Sequence, residues 1–110
     1  MSEIQTLLNK GQSSLNLGNP KEALSFYQKI LDQNPQHLEA LLKKGNIFGR
    51  FGRFDDAIIC YDGVLLQENE NLLALLNKGL CYHKIGQYDM AIHCFDVVLK
   101  LKPQNKTALY

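Results

Sequence analysis

Residues 72–105 read LLALLNKGLCYHKIGQYDMAIHCFDVVLKLKPQN, and residues 38–71 read LEALLKKGNIFGRFGRFDDAIICYDGVLLQENEN. Laid one above the other without a gap, they bring Leu75 over Leu41, Gly79 over Gly45, Gly86 over Gly52, Ala91 over Ala57 and Phe95 over Tyr61. Residues 4–37 extend the same columns with Leu7, Gly11, Gly18, Ala23 and Tyr27, again at an offset of 34. Lys10, Lys44 and Lys78 align as well, as do Ile30, Val64 and Val98, and Leu31, Leu65 and Leu99. So many coincident columns exclude chance and make the chain an array of repeated units. The units are 4–37, 38–71 and 72–105, and 106–110 opens a fourth that stops after about one helical turn. The expected organisation is a single domain over 1–110.

Within a unit the apolar residues keep helical spacing: Leu38, Leu41, Leu42, Gly45 and Phe48, then Ala57, Ile58, Tyr61, Val64 and Leu65. Each unit therefore reads as two helices. Gly18, Gly52 and Gly86 fall where the first helix needs a left-handed cap, a conformation that a missing Cβ makes cheap. Asn19, Pro20 and Glu22 then restart the chain with a capping side chain, a proline at the first helical position and a carboxylate three residues after the cap. Ser2 with Gln5 makes a similar start for the first helix. Pro35 and Pro103 mark the ends of second helices, and Asn69 stands in that place in the middle unit as a weaker stop. Gly11, Gly45 and Gly79 lie inside first helices at a cost of about 1 kcal/mol each relative to alanine. Close approach to the second helix is the expected offset, with the small column Ala23, Ala57 and Ala91 letting the backbones come together while Tyr27, Tyr61 and Phe95 fill the space beside them.

Composition narrows the function. The chain has 110 residues, 45% of them hydrophobic and 21% charged, which suits a folded domain and excludes intrinsic disorder. Lys plus Arg number 12 against Asp plus Glu 11, a net charge of +1 that gives no field for nucleic acid. No apolar run reaches the roughly 18 residues of a membrane span, and the opening MSEIQTLLNKGQ does not resemble a signal peptide, so a cytoplasmic protein with no membrane partner is expected. Three cysteines, Cys60, Cys81 and Cys94, form no CxxC pair and read as small buried hydrophobes.

The columns closely resemble the tetratricopeptide repeat, a 34-residue helix-turn-helix unit with a large residue, Gly, an aromatic, Ala, an aromatic and Pro in order. There are departures. Leu7, Leu41 and Leu75 stand where that pattern has tryptophan, Lys10, Lys44 and Lys78 where it usually has leucine, and Ser14 replaces the aromatic of the first helix. A lysine in that place can lay its stem on the core and keep its ammonium in water. The run NKG at Asn9–Gly11 and Asn77–Gly79 resembles archaeal and bacterial members of the family. The resemblance implies an all-α solenoid, three helix-turn-helix repeats plus the start of a fourth, coiled as a right-handed superhelix with first helices lining a concave groove.

In that frame the partner-binding groove consists of Leu8, Asn9, Gln12, Leu42, Lys43, Asn46, Arg50, Leu76, Asn77, Leu80, His83 and Lys84. Leu8, Leu42 and Leu76 make an apolar ladder, the asparagines offer both a donor and an acceptor to a peptide backbone, and Lys43, Arg50 and Lys84 add positive charge. The alternative is that the leucines fill gaps between neighbouring helices and the charges are merely solvated. Relatives that hold the C-terminal carboxylate of chaperones use lysine and asparagine, then asparagine, then two basic residues, where this chain has Leu8 and Gln12, Lys43, and Leu73 and Asn77. That match fails.

Catalysis has no candidate: His37, His83 and His93 fall at different places in their units, so no triad forms. Cys81, His83, His93 and Cys94 superficially suggest zinc, but adjacent helical residues point about 100° apart and His93 with Cys94 do not converge. Gly49–Arg53 lacks the ending of a phosphate loop, and a helical-repeat RNA reader would have a period near 35 and a basic groove. The expected function is thus a non-catalytic module or scaffold without cofactor or metal, binding a peptide or helical segment of a protein. The alternative is a homo-oligomerisation element. Tyr88–Leu101 is the last full helix, and with no unit after it Ile92, Phe95, Val98 and Leu99 should stand partly uncovered, with Ala108 and Leu109 beginning to cover them.

Overall fold

The computed structural model describes residues 2–109, apart from the side chains of Lys106 and Leu109. These form α1 (Glu3–Asn16), α2 (Pro20–Gln33), α3 (Leu38–Arg50), α4 (Phe54–Gln67), α5 (Leu72–Lys84), α6 (Tyr88–Leu101) and the single turn α7 (Lys106–Leu109), with no strand among the described residues. Each first helix pairs with the second helix that follows it, and each second helix receives the next first helix, which is the connectivity of an α-solenoid.

The joints repeat in detail. Gly18, Gly52 and Gly86 have φ of 77°, 75° and 82°. The residue after each glycine donates its backbone N–H five positions back, Asn19 to Ser14 at 2.8 Å, Arg53 to Phe48 at 2.9 Å and Gln87 to Tyr82 at 2.9 Å, closing a Schellman cap. Ser2 accepts from the Gln5 N–H at 3.0 Å, and Asn19 accepts from the Glu22 N–H at 3.3 Å, as the capping sequences predict. The other first helices are capped by residues that the sequence reading passed over: His37 Nδ1 accepts from the Ala40 N–H at 3.2 Å, Asn71 from Ala74 at 2.9 Å and Asn105 from Ala108 at 3.0 Å. Asn69 needs no compensation as a stop. The middle second helix closes on Glu68, whose N–H reaches the Val64 carbonyl at 2.8 Å, the same closure that Asn34 makes on Ile30 at 2.8 Å beside Pro35.

The core runs through the helix pairs in two clusters, one centred on Tyr27, Ile30 and Ile47, the other on Tyr61, Val64 and Ala74. Each large side chain buried there contributes about 1.5–3 kcal/mol. The glycines inside first helices make room for the aromatic column. A Cβ on Gly11 would come within 2.7 Å of the Tyr27 ring, one on Gly45 within 2.8 Å of Tyr61 and one on Gly79 within 2.6 Å of Phe95. Each glycine is a socket for a ring. The alanines Ala23, Ala57 and Ala91 are buried, and so is a second small column, Ala40 and Ala74, at the start of first helices.

Val98 corrects the expectation of a partly uncovered side chain, being 0% exposed. It shares its column with Ile30 and Val64, also 0% exposed, and the last helix pair buries it with only α7 beyond, so this column turns inward within its own pair. Ile92 is 55% exposed, while Phe95 and Leu99 are half-buried. The Leu109 side chain and Tyr110 lie outside the described residues.

Candidate partner-binding groove

The first helices α1, α3 and α5 present neighbouring faces, and two cavities open between them. One, about 230 Å³, lies between α1 and α3 and is lined by Gln12, Leu15, Asn16, Lys43, Asn46, Ile47 and Arg50. The other, about 280 Å³, includes Asn46, Gly49, Arg50, Asn77, Leu80 and Lys84 around a floor of Phe54, Tyr61 and Cys81. Asn46 and Arg50 belong to both, so they form the ridge on which the two depressions meet.

Asn46 is held in place from below and from the side. Its Oδ1 accepts from the Tyr61 hydroxyl at 2.6 Å and from Asn77 Nδ2 at 3.2 Å. Burial drives the Tyr61 hydroxyl far above the usual phenol range, so it stays protonated and remains the donor. With that oxygen engaged, what the pair offers is a donor from Asn46 Nδ2 and an acceptor from Asn77 Oδ1. Tyr61 reads as core in the sequence, and it is core, 2% exposed, but its hydroxyl also sets the orientation of a groove residue. A buried tyrosine hydroxyl needs a partner, and that requirement is the signal that could have linked the two.

The remaining groove residues divide. Lys43 Nζ donates to Gln12 Oε1 at 3.1 Å and Gln12 Nε2 to Asn16 Oδ1 at 3.0 Å, a polar strap across α1 and α3. Asn9 accepts from Gln5 Nε2 at 3.1 Å. Leu8 and Leu42 are half-buried and pack on the core clusters, and Leu76 is half-buried as well, so the apolar ladder is largely drawn into the interior. Leu80 is the groove leucine left open, 42% exposed. His83 is not in either groove cavity. It stacks edge-on with Tyr88 at 5.4 Å and lines a different cavity, toward α6 and α7.

Charge is distributed unevenly. Arg50 and Lys84 are exposed and make no ion pair among the described residues, while neither groove cavity has a carboxylate in its lining. The lysines of the repeating column, by contrast, are in use: Lys44 Nζ reaches Gln28 Oε1 at 2.7 Å and lies 5.6 Å from the Phe48 ring centre, and Lys78 Nζ pairs with Asp62 at 2.6 Å. Burial opposes the Lys78 ammonium, but its hydrogen bond and charge contact with Asp62 outweigh that and hold its pKa above the ordinary lysine value. These are the stem-on-core lysines of the sequence reading, and each also ties its helix to the preceding one. Arg53 pairs with Asp56 at 2.7 Å and lies over the Phe48 ring, outside the groove. Cys60, Cys81 and Cys94 are free and buried. Among the described residues no group of three or more His, Cys, Asp or Glu could hold a metal ion, and no helix is long and apolar enough to cross a membrane.

Comparison with known proteins agrees with the fold. The first repeat domain of Spaghetti (RPAP3), a structure bound to the HSP90 peptide SRMEEVD, is 20% identical with a TM-score of 0.89, covering 97% of this chain and 85% of that one. The Arabidopsis OM64 TPR domain is 24% identical with a TM-score of 0.87, covering 96% and 88%. A MamA RS-1 double mutant is 26% identical with a TM-score of 0.94, covering 100% of this chain and 62% of that one. No curated protein matches the chain. Family models described as tetratricopeptide repeat match residues 15–70 and 73–105, so the glycine joints, the ring sockets and the paired helices carry a family signature over most of the sequence. The chain belongs to the tetratricopeptide-repeat family.

Proposed function

We propose that this chain is a non-catalytic interaction module which holds a segment of a partner protein across the α3–α5 cavity, with an acidic side chain of that segment at Arg50 and Lys84. The observation that carries the reading is the ridge of Asn46 and Arg50 between two cavities that no carboxylate lines. A backbone amide and carbonyl of the segment meet Asn77 Oδ1 and Asn46 Nδ2, an apolar side chain covers Leu80, and a carboxylate sits between two cations that lack an internal counter-charge. Asn46 is fixed before binding by Tyr61 and Asn77, which lowers the ordering cost of association. The HSP90 peptide of the Spaghetti structure supports peptide capture as the mode, although Leu8, Gln12, Lys43, Leu73 and Asn77 do not reproduce a carboxylate clamp. An acidic residue within the segment fits better than a chain terminus.

The test is selection of peptides from a random display library on the immobilised chain, followed by fluorescence anisotropy. Binders should carry Asp or Glu beside an apolar residue, and Arg50→Glu combined with Lys84→Glu should weaken them at least about tenfold with an unchanged circular-dichroism spectrum. Binders that lack an acidic residue, or that ignore the double charge reversal, would overturn the assignment.

A further inference from the structure

A helical face returns at steps of four, three and four residues, so the side chains that line the groove belong to rows running beyond its two cavities. On α5 the row is Leu73, Asn77, Leu80 and Lys84, and on α3 it is Glu39, Lys43, Asn46 and Arg50. The last three of each row line a cavity, which places Leu73 and Glu39 on the same faces, one turn nearer the helix starts. The corresponding row of α1, Gln5, Asn9, Gln12 and Asn16, has neither a charge nor an apolar side chain.

The rows of α3 and α5 give the groove a chemical order. Arg50 and Lys84 stand at its C-terminal end, exposed and without an ion pair among the described residues. Leu80, one turn inward, is 42% exposed, and Leu73 at the opposite end is 61% exposed. Glu39, the counterpart of Leu73 on α3, is exposed, and its carboxylate has no hydrogen bond or ion pair among the described residues. Lys43, a cation one turn away, gives its ammonium to Gln12 instead, at 3.1 Å. Leu73 does not owe its exposure to the length of the array. The turn of α7, Lys106–Leu109, already stands as the counterpart of the first turn of α5, and Leu73 remains open.

Distances along the rows set the spacing of a ligand. The helical rise puts Leu80 about 6 Å and Leu73 about 17 Å from Lys84 along the axis of α5. An extended chain advances about 3.3 Å per residue, so those intervals correspond to about two and about five residues. Asn77, between the two leucines, holds the backbone.

We propose that the groove reads charge and apolarity in a fixed order. It takes an extended segment with an acidic residue at Arg50 and Lys84, apolar residues on Leu80 and Leu73, and a lysine or arginine on Glu39 at the far end. This rests on the groove reading above and extends it to the starts of α3 and α5. The test is titration of the ¹⁵N-labelled chain with the acetylated, amidated peptide Asp-Ser-Leu-Ser-Ser-Leu-Lys, and with the same residues in reverse order so that both chain directions are sampled. One of the two should saturate, with shifts at Arg50, Lys84, Leu80, Leu73 and Glu39. Glu39→Lys should weaken that peptide about fivefold, and glutamate in place of the peptide lysine should regain the loss on the variant. Leu73→Ser should weaken it to a similar extent, about fivefold, with an unchanged circular-dichroism spectrum. If neither peptide saturates, or if binding ignores Arg50→Glu combined with Lys84→Glu, the groove reading fails and this inference with it. Binding that needs Arg50 and Lys84 but is indifferent to Glu39→Lys and Leu73→Ser, or a charge swap without recovery, overturns the inference alone.

Discussion

Adding one carbon at Gly45 should destabilise this protein, whereas adding the same carbon four residues along should stabilise it. Both glycines lie within α3, where alanine is preferred by about 1 kcal/mol, so propensity alone favours either substitution. The surroundings reverse the sign at one of them. A Cβ on Gly45 meets Tyr61 Cε1 at 2.8 Å, Tyr61 Cζ at 3.0 Å and the Cys60 Cβ at 3.2 Å, while one on Gly49 meets nothing within 4 Å. Tyr61 cannot swing clear, because the ring is 2% exposed and its hydroxyl is tied to Asn46 at 2.6 Å. Overpacking of this kind costs about 1–3 kcal/mol, and a ring that shifts enough to lose its hydrogen bond adds about 1 kcal/mol. Against the helical gain, Gly45→Ala should lose about 1–3 kcal/mol, and Gly49→Ala should gain up to about 1 kcal/mol. Urea unfolding followed by circular dichroism reads both, and a thermal scan should separate them by about 4–8 °C for each kcal/mol. Gly79→Ala provides an internal gradation: its Cβ meets Phe95 Cε1 at 2.6 Å, yet Phe95 is only half-buried and has no hydroxyl to hold it, so the loss should be smaller. If Gly45→Ala proves as stable as Gly49→Ala, the socket reading is wrong.

Ala57→Leu forces a large side chain into a fully buried site and should cost about 1–3 kcal/mol in the same urea assay. Asn71→Ala removes the acceptor for the Ala74 N–H and should cost about 1 kcal/mol, whereas His37→Asn, which substitutes the capping residue used at Asn71 and Asn105, should be close to neutral. Burial raises the pKa of the Cys60, Cys81 and Cys94 thiols, so the folded chain keeps their protons where the unfolded chain has begun to release them. The unfolded state then binds fewer protons, and stability falls as pH rises through and beyond about 8.5. Comparing urea midpoints at neutral and alkaline pH should show a larger drop for the wild type than for a variant with alanine at all three cysteines.

The fold was legible because the same decision is written three times over. Any one glycine in a helix is ambiguous, but Gly18, Gly52 and Gly86 at an offset of 34 have no common explanation other than a left-handed cap, and all three have positive φ. The caps of the later first helices were missed for the opposite reason. His37 stands in the column of Asn71 and Asn105, and although asparagine is an ordinary capping residue, an imidazole that accepts from a backbone N–H does not announce itself in composition and hides the column. The inner glycines were legible as close contacts with the aromatics Tyr27, Tyr61 and Phe95 beside them, but periodicity shows only which residues share a column and not that a ring sits directly over each glycine.

The groove was legible only as far as helix geometry goes. Spacing places Asn46, Arg50, Asn77, Leu80 and Lys84 on one side of their helices, and the α3–α5 cavity gathers these five. What spacing cannot assign is the state of each side chain once neighbours arrive: Lys43 is spent on Gln12, Leu8 and Leu42 are drawn toward the core, and His83 turns to Tyr88. Several such groove contacts span 31 residues, Lys43 with Gln12 and Asn77 with Asn46 among them, and join successive units. A solenoid makes its surface from exactly such nearest-neighbour terms. The character of this surface therefore resides less in any one helix than in the seams between them, and at the α3–α5 seam Arg50 and Lys84 make no ion pair among the described residues.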